Sequence, residues 1–152
     1  MTTKELNLIM HLRNDCRKSL SLIGRDINVP VTTLFSMLKD MEKDVIKKYA
    51  CLVDLQRFGY GVRICLAIKC KDKNKEEVKN FIINNKNIDS VFRTNNGFDF
   101  FVDAVFRNVS EMENFLEQLD DFKLKKKNLH HVVEEYKKED FLTREEHLEL
   151  FV

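Results

Sequence analysis

Several absences narrow the chemistry of this 152-residue chain before any pattern in it is read. Its 4 glycines never gather into a phosphate-cradling loop or a nucleophile elbow, which argues against nucleotide-phosphate and serine-hydrolase chemistry. The 4 cysteines, Cys16, Cys51, Cys65 and Cys70, form no C-x-x-C pair. Cys65 and Cys70 lie in an apolar run, where a thiol serves as a small core side chain. No apolar run approaches the roughly 18 residues of a membrane span, and no signal-peptide pattern precedes the domain, so the expectation is a reduced, cytoplasmic protein away from membranes. The histidines His11, His130, His131 and His147 have no evident carboxylate or nucleophile partner in the sequence. His130 and His131 are adjacent, and neighbours on a strand point to opposite faces, so they do not share an ion easily. No catalytic residue, metal or cofactor is expected, and the chain does not read as an enzyme.

What remains is a globular composition, 43% hydrophobic and 34% charged, long enough for one domain or two small ones. The net charge of +1 hides an asymmetry. Residues 1–50 hold 9 Lys and Arg against 6 Asp and Glu, and residues 107–152 hold 8 against 12. The basic end carries the most informative segment, Ser19 to Ile46. A helix with Leu20, Leu22, Ile23 and Ile27 meets a breaker at Asn28-Val29-Pro30, and a second helix begins near Thr32 and Thr33. That spacing is the helix-turn-helix of DNA readers. In the second helix Leu34, Leu38, Met41 and Val45 form a predicted buried stripe, and Thr32, Ser36, Lys39 and Lys43 line the opposite side. A further helix is predicted from about Thr3 to Asn14, capped by Thr2 or Thr3, with Leu6, Ile9 and Met10 inward and Leu12 flanking.

The remainder changes period. Val62 to Cys70 alternates as a strand, Lys75 to Asn85 repeats as a helix with Asp72 or Asn74 as cap, and Ile88 to Thr94 reads as a short strand. Asn95-Asn96-Gly97 signals a hairpin leading into a strand from Phe98 to Phe106. Ser110 opens a helix with Met112, Phe115, Leu116 and Leu119 apolar, and Asn128 to Tyr136 supplies the last strand. The order βαββαβ predicts an α+β chain: a three-helix helix-turn-helix domain followed by a ferredoxin-like sandwich with helices on one face of a four-stranded antiparallel sheet. The third strand is apolar on both sides, Phe98, Phe100, Val102, Ala104 and Phe106 against Phe101 and Val105, so the bare face calls for a second copy. The expected division is a DNA-binding domain over 1–46, a linker strand over 47–61, a dimerisation domain over 62–137, and an arm or helix over 138–152 contributing to assembly.

Several short stretches resemble the Lrp/AsnC, or feast/famine, family. Asn14-Asp15-Cys16-Arg17-Lys18-Ser19 resembles its D-G-R-x-S loop, with Cys16 in place of Gly. Met41-Glu42 through Val45-Ile46 to Tyr49 is similar to its L-E-x-x-G-x-I-x-x-Y exit from the reader helix, with the glycine before Val45 missing. Asn95-Asn96-Gly97-Phe98-Asp99-Phe100 is similar to its S/T-G-x-[FY]-D-[YL] turn. Pro30 stands where Ser is usual and Met37 where a basic residue is, so the reader is less basic than the resemblance would lead one to expect. The resemblance implies a DNA-binding transcription regulator, dimeric or assembled further to octamers, with an amino-acid effector held near the turn at contacts between dimers. Candidate DNA contacts are Arg17, Lys18, Thr32, Thr33, Ser36, Lys39 and Lys43, set against the plain alternative of a solvated polar face. Candidate effector residues, implied by the resemblance, are Arg93, Asn95, Asn96, Gly97, Phe98 and Asp99. Sirohaem decarboxylases share the two-part fold, but no His and Arg pattern resembling theirs is present. A third reading is an assembly partner that does not itself bind DNA. The run Lys123, Lys125, Lys126 and Lys127 lies between acids and reads as a solvated loop.

Overall fold

The structure, a computed structural model, describes residues 1–151. They fall into two compact units: Met1–Val53 together with the chain from Lys137 onward, and Asp54–Tyr136.

The first unit is built on three helices, α1 (Thr3–Asn14), α2 (Leu20–Asp26) and α3 (Val31–Asp44). Thr2 caps α1 through a reciprocal box: its hydroxyl accepts from the Glu5 amide and its own amide donates to the Glu5 carboxylate at 2.6 Å. Ser19 caps α2 by accepting from the Leu22 amide. The core comprises Leu8, Ile23, Val29, Leu34 and Met41, with Ile9, Leu38 and Ile46 packed at its rim. Leu8 is fully buried although the predicted stripe ran through Leu6, Ile9 and Met10. The helix is covered on more than one side, since α1 also meets the 3₁₀ turn Glu145–Phe151 near the chain's end. Val45, expected in the buried stripe, is exposed, because α3 ends at Asp44 and Val45 is its C-cap.

The segment beyond Lys137 returns to α1. The Arg13 guanidinium donates to the carbonyls of Phe141 (2.6 Å) and Glu139 (2.9 Å) and to the Glu139 carboxylate (3.1 Å), and Asn14 donates to the Thr143 carbonyl. Leu142 is buried beside them. The arm thus has a binding site within the chain.

In the turn between α2 and α3, Asn28 takes a left-handed φ of 52° and the Val29 amide donates to the Gly24 carbonyl at 2.9 Å. The chain doubles back so closely that a Cβ on Gly24 would sit 2.6 Å from the Val29 carbonyl oxygen and 3.4 Å from Leu34 Cδ1. Glycine in mid-helix is unfavourable by roughly 1 kcal/mol relative to alanine, and here the approach of the backbone demands it.

The second unit is a four-stranded antiparallel sheet of β1 (Val62–Lys69), β2 (Ile88–Arg93), β3 (Phe100–Phe106) and β4 (Lys126–His131), ordered β2-β3-β1-β4. Helices α4 (Lys75–Asn84) and α5 (Val109–Asp120) cover one face. Ile64, Leu66, Ile68 and Cys70 alternate inward to meet Phe100, Val102, Ala104 and Phe106 in register, with Val78, Ile82, Met112, Phe115, Leu116 and Leu119 above them. Several expected boundaries move. The last strand starts at Lys126 and stops at His131; the Val132 amide still donates to the Arg63 carbonyl, and beyond it Val133 and Tyr136 are almost wholly exposed. The linker strand expected over 47–61 is not a strand in the single chain: those residues do not join either edge of the sheet, and they hold a 3₁₀ turn over Leu55–Phe58 instead. Asn108, two residues earlier than Ser110, caps α5 by accepting from the Glu111 amide, and the Glu111 carboxylate accepts from the Arg107 amide. Asn74 is the N-cap of α4 but makes no side-chain capping bond there, its amide group donating instead to the Phe122 carbonyl.

One buried acid ties three elements together. Asp99 is 7% exposed, and its carboxylate accepts from the Cys70 amide at 2.9 Å and the Lys75 ammonium at 2.6 Å, with Lys69 at 3.4 Å. Burial works to raise its pKa, but the Lys75 and Cys70 hydrogen bonds and the two lysine charges outweigh it and hold the group at about 2.

Gly24→Ala should lower stability by about 1 to 3 kcal/mol despite alanine's better helix propensity, as overpacking against backbone does, measured by urea unfolding. Gly61→Ala, where a Cβ meets nothing within 4 Å, should change little. Asp99→Asn should lose about 1.5 to 3 kcal/mol at neutral pH. The wild-type advantage is full above the ordinary carboxylate value of 3.8 and is lost as pH falls through about 2, because the folded state binds its proton later than the unfolded one. Thermal melts of both proteins between pH 2 and 7 check this.

Candidate nucleic-acid interface and effector turn

Helix α3 presents its outer side to solvent because Leu34 and Met41 hold the opposite side in the core. Thr32, Thr33, Ser36, Lys39 and Lys43 are all exposed on it, so the expected strip exists as a surface. Pro30 starts the helix as N-cap and, as a residue without a side-chain hydroxyl, makes no side-chain capping bond. The charges are less free than their number implies. The Lys43 ammonium pairs with Asp40 at 2.6 Å, and the Lys39 ammonium rests 4.7 Å from the centre of the Phe35 ring. Arg17 in the preceding loop is exposed. Lys18, named with it as a phosphate contact, is half-buried between Asp26 (2.5 Å) and His11 Nδ1 (3.2 Å). Burial and the Lys18 charge keep the His11 pKa below its ordinary 6.5, against the pull of Asp26.

The sequence reading passed over two residues of this unit. Gly24 sets the turn, and its signal was an isolated glycine inside an apolar helical pattern. Phe35 is 51% exposed on the reader helix. Its signal was an aromatic one position off the predicted stripe.

The effector candidates are partly separated by the structure. Asn96 (φ 58°) and Gly97 (φ 101°) are both left-handed, the pairing that a tight hairpin turn needs, and the Thr94 amide donates to the Asp99 carbonyl across it. Arg93, Asn95, Asn96 and Gly97 are exposed at the tip, while Phe98 is half-buried with the Lys126 ammonium 5.0 Å from its ring centre. The chain straightens into β3 only at Phe100, so Phe98 belongs to the turn and not to the strand. Asp99 faces inward to Cys70 and Lys75, a contact that positions the turn.

The helix-free face of the same sheet carries Ala67, Phe92, Phe101 and Val105, with Phe92 57% exposed. At its edge the Arg63 guanidinium binds both oxygens of Asp103 and reaches Glu135 at 2.7 Å. The Asp103 hydrogen bond, working against desolvation, raises the pKa of that guanidinium further. His130 pairs across from Cys65 and His131 across from Ile64, placing the two imidazoles on opposite faces. Among the described residues no group of three or more His, Cys, Asp or Glu gathers as metal ligands.

Residues 63–141 match the Lrp/AsnC ligand binding domain. A helix-turn-helix-type transcriptional regulator of Pyrococcus horikoshii is 30% identical over 131 residues, 86% of this chain and 88% of its own. An alignment of that length runs through the helix-turn-helix as well. The regulator FL11 of the same organism is 26% identical over 72% of this chain and 74% of its own. The fold is that of B. subtilis LrpC (TM-score 0.82, 21% identity, 90% and 97% covered) and of a Neisseria meningitidis transcriptional regulator solved with L-Met (TM-score 0.84, 14% identity, 91% and 93% covered). With the domain match, the full-length relative and the two-part architecture in agreement, the chain belongs to the Lrp/AsnC family of helix-turn-helix transcriptional regulators.

Proposed function

We propose that this protein binds double-stranded DNA as a homodimer or larger homo-oligomer and that a small amino-acid effector acts at the β2–β3 turn by shifting its assembly. The observation that carries the reading is the exposed strip Thr32, Thr33, Ser36, Lys39 and Lys43 on a helix held at a tight turn by Gly24, in a chain of this family. Arg17 flanks it as a phosphate contact. Lys18 joins only by giving up its 2.5 Å pair with Asp26. The basic excess of residues 1–50 is small for a single reader, since several phosphates must be neutralised per site. A dimer through the bare sheet face, with its exposed Phe92 and Phe101, doubles the contacts and raises the effective concentration of the second reader.

The named relatives are regulators, and the work assigned here is binding rather than catalysis, in the cytoplasm. Among the described residues no helix is long and apolar enough to cross a membrane. The exposed tip, Arg93, Asn95, Asn96 and Gly97, offers backbone donors and acceptors and one guanidinium to an amino acid's carboxylate and ammonium. Such a ligand changes assembly only if it binds one state more tightly than the other. A second reading, an assembly partner that does not touch DNA, draws on the pairing of Lys18 and Lys43 with acids.

Selection of bound fragments from the source genome at two salt concentrations should enrich a defined sequence. Lys39→Ala combined with Lys43→Ala should weaken binding to it and flatten the salt slope by about two counterions per reader. No enrichment supports the assembly-partner reading, and enriched binding that is indifferent to the double change counts against the assignment of Lys39 and Lys43 as contacts. Light scattering should show an amino acid altering oligomer size, and Gly97→Val, which forces a β-branched residue to φ 101°, should abolish that response while leaving the dimer. An unchanged size with every amino acid tested counts against the effector.

A further inference from the structure

The reader helix has an unusual inventory. Between Val31 and Asp44 there is no Arg, Asn or Gln, the side chains that recognise guanine or adenine with paired hydrogen bonds. Its exposed side chains include hydroxyls at Thr32, Thr33 and Ser36, the lysines, the acids Asp40 and Glu42, Val31 at the first position, and one aromatic ring, Phe35. Phe35 lies at the fifth helical position, in the part of a recognition helix that meets base edges. Half of it remains exposed even with the Lys39 ammonium 4.7 Å from its ring centre. Within the unit an exposed phenyl ring gains nothing by facing water, and the five core positions are filled without it.

We infer that Phe35 is a specificity-determining residue that packs on the C5-methyl group of a thymine in the major groove. The methyl is the one apolar feature on that edge of a base pair, and an aromatic side chain is a fitting contact for it. Charge favours this occupant over a protein partner, because Lys39 rides on the ring and brings a cation to the same base step, where the neighbouring phosphates lie. The assignment rests on the DNA-binding reading above.

The test compares duplexes that carry the selected site with thymine or with deoxyuridine at the A·T positions, a change that removes only the methyl. Wild-type protein should prefer thymine by about four-fold for each methyl contacted, the worth of one buried methyl group, and by about the square of that when both half-sites are changed. Phe35→Ala should bind both duplexes alike, near the wild-type affinity for the deoxyuridine site, and Phe35→Leu should keep part of the preference. Circular dichroism controls for folding of the variants. Equal wild-type binding to both duplexes, or a full thymine preference in Phe35→Ala, would overturn the assignment while leaving DNA binding intact. Absence of binding to any duplex overturns the DNA reading and this inference with it.

Discussion

The helix-turn-helix depends on a contact that leaves no room for a side chain. The Val29 carbonyl lies where a Cβ of residue 24 would be, and the Val29 amide closes back onto the Gly24 carbonyl. Any bulk there drives α2 from the turn, and with it the start of α3. The outward strip of α3 is therefore set from inside, by an absent methyl group and by Leu34 and Met41 seated in the core. The reader's position is a packing outcome. Its polar residues contribute little to it, since Pro30 makes no capping bond and the exposed side chains mostly meet water or one another.

The second unit solves a similar problem with charge. A hairpin tip that must stay exposed and ordered has few apolar contacts of its own. Here it is anchored from behind by Asp99, whose carboxylate joins the end of β1 to the first turn of α4 and to the start of β3. A buried acid is tolerable only when its acceptor capacity is met, and one amide and two ammonium groups meet it. The turn residues before it are freed from structural duty. Asn96 and Gly97 supply left-handed backbone, and Arg93 and Asn95 remain open to solvent.

Part of the charge in the first unit is already engaged. Lys18 and Lys43 have acidic partners, Lys39 has an aromatic one, and the arm that packs on α1 brings more acids than bases. A surface so neutral attracts a polyanion weakly over long range. On the reading proposed above, contacts made at short range, by hydroxyls and by the Phe35 ring, would carry a larger share of the discrimination.

Much of this was legible along the chain. The periods of Leu34, Leu38 and Met41 and of Ile64, Leu66 and Ile68, the breaker at Asn28 to Pro30 and the Asn96-Gly97 turn all state a local preference that the final structure obeys, so element order and fold class follow from neighbours in sequence. What could not be read is whatever depends on a distant partner. Whether 47–61 and 133–136 join a sheet depends on pairing with a distant strand, and neither does. Lys18 looked like a free cation until Asp26 and His11 came beside it, and Asp99, a candidate effector residue along the chain, is closed over by Cys70 and Lys75. The arm's docking on Arg13 joins residues more than 120 positions apart. By itself the sequence determined the order of the helices and of the four sheet strands, because dihedral preference and side-chain period are local. Only the tertiary structure decided which charges stay available and which side chains face out, because burial and ion pairing depend on groups that the chain brings together only when it folds.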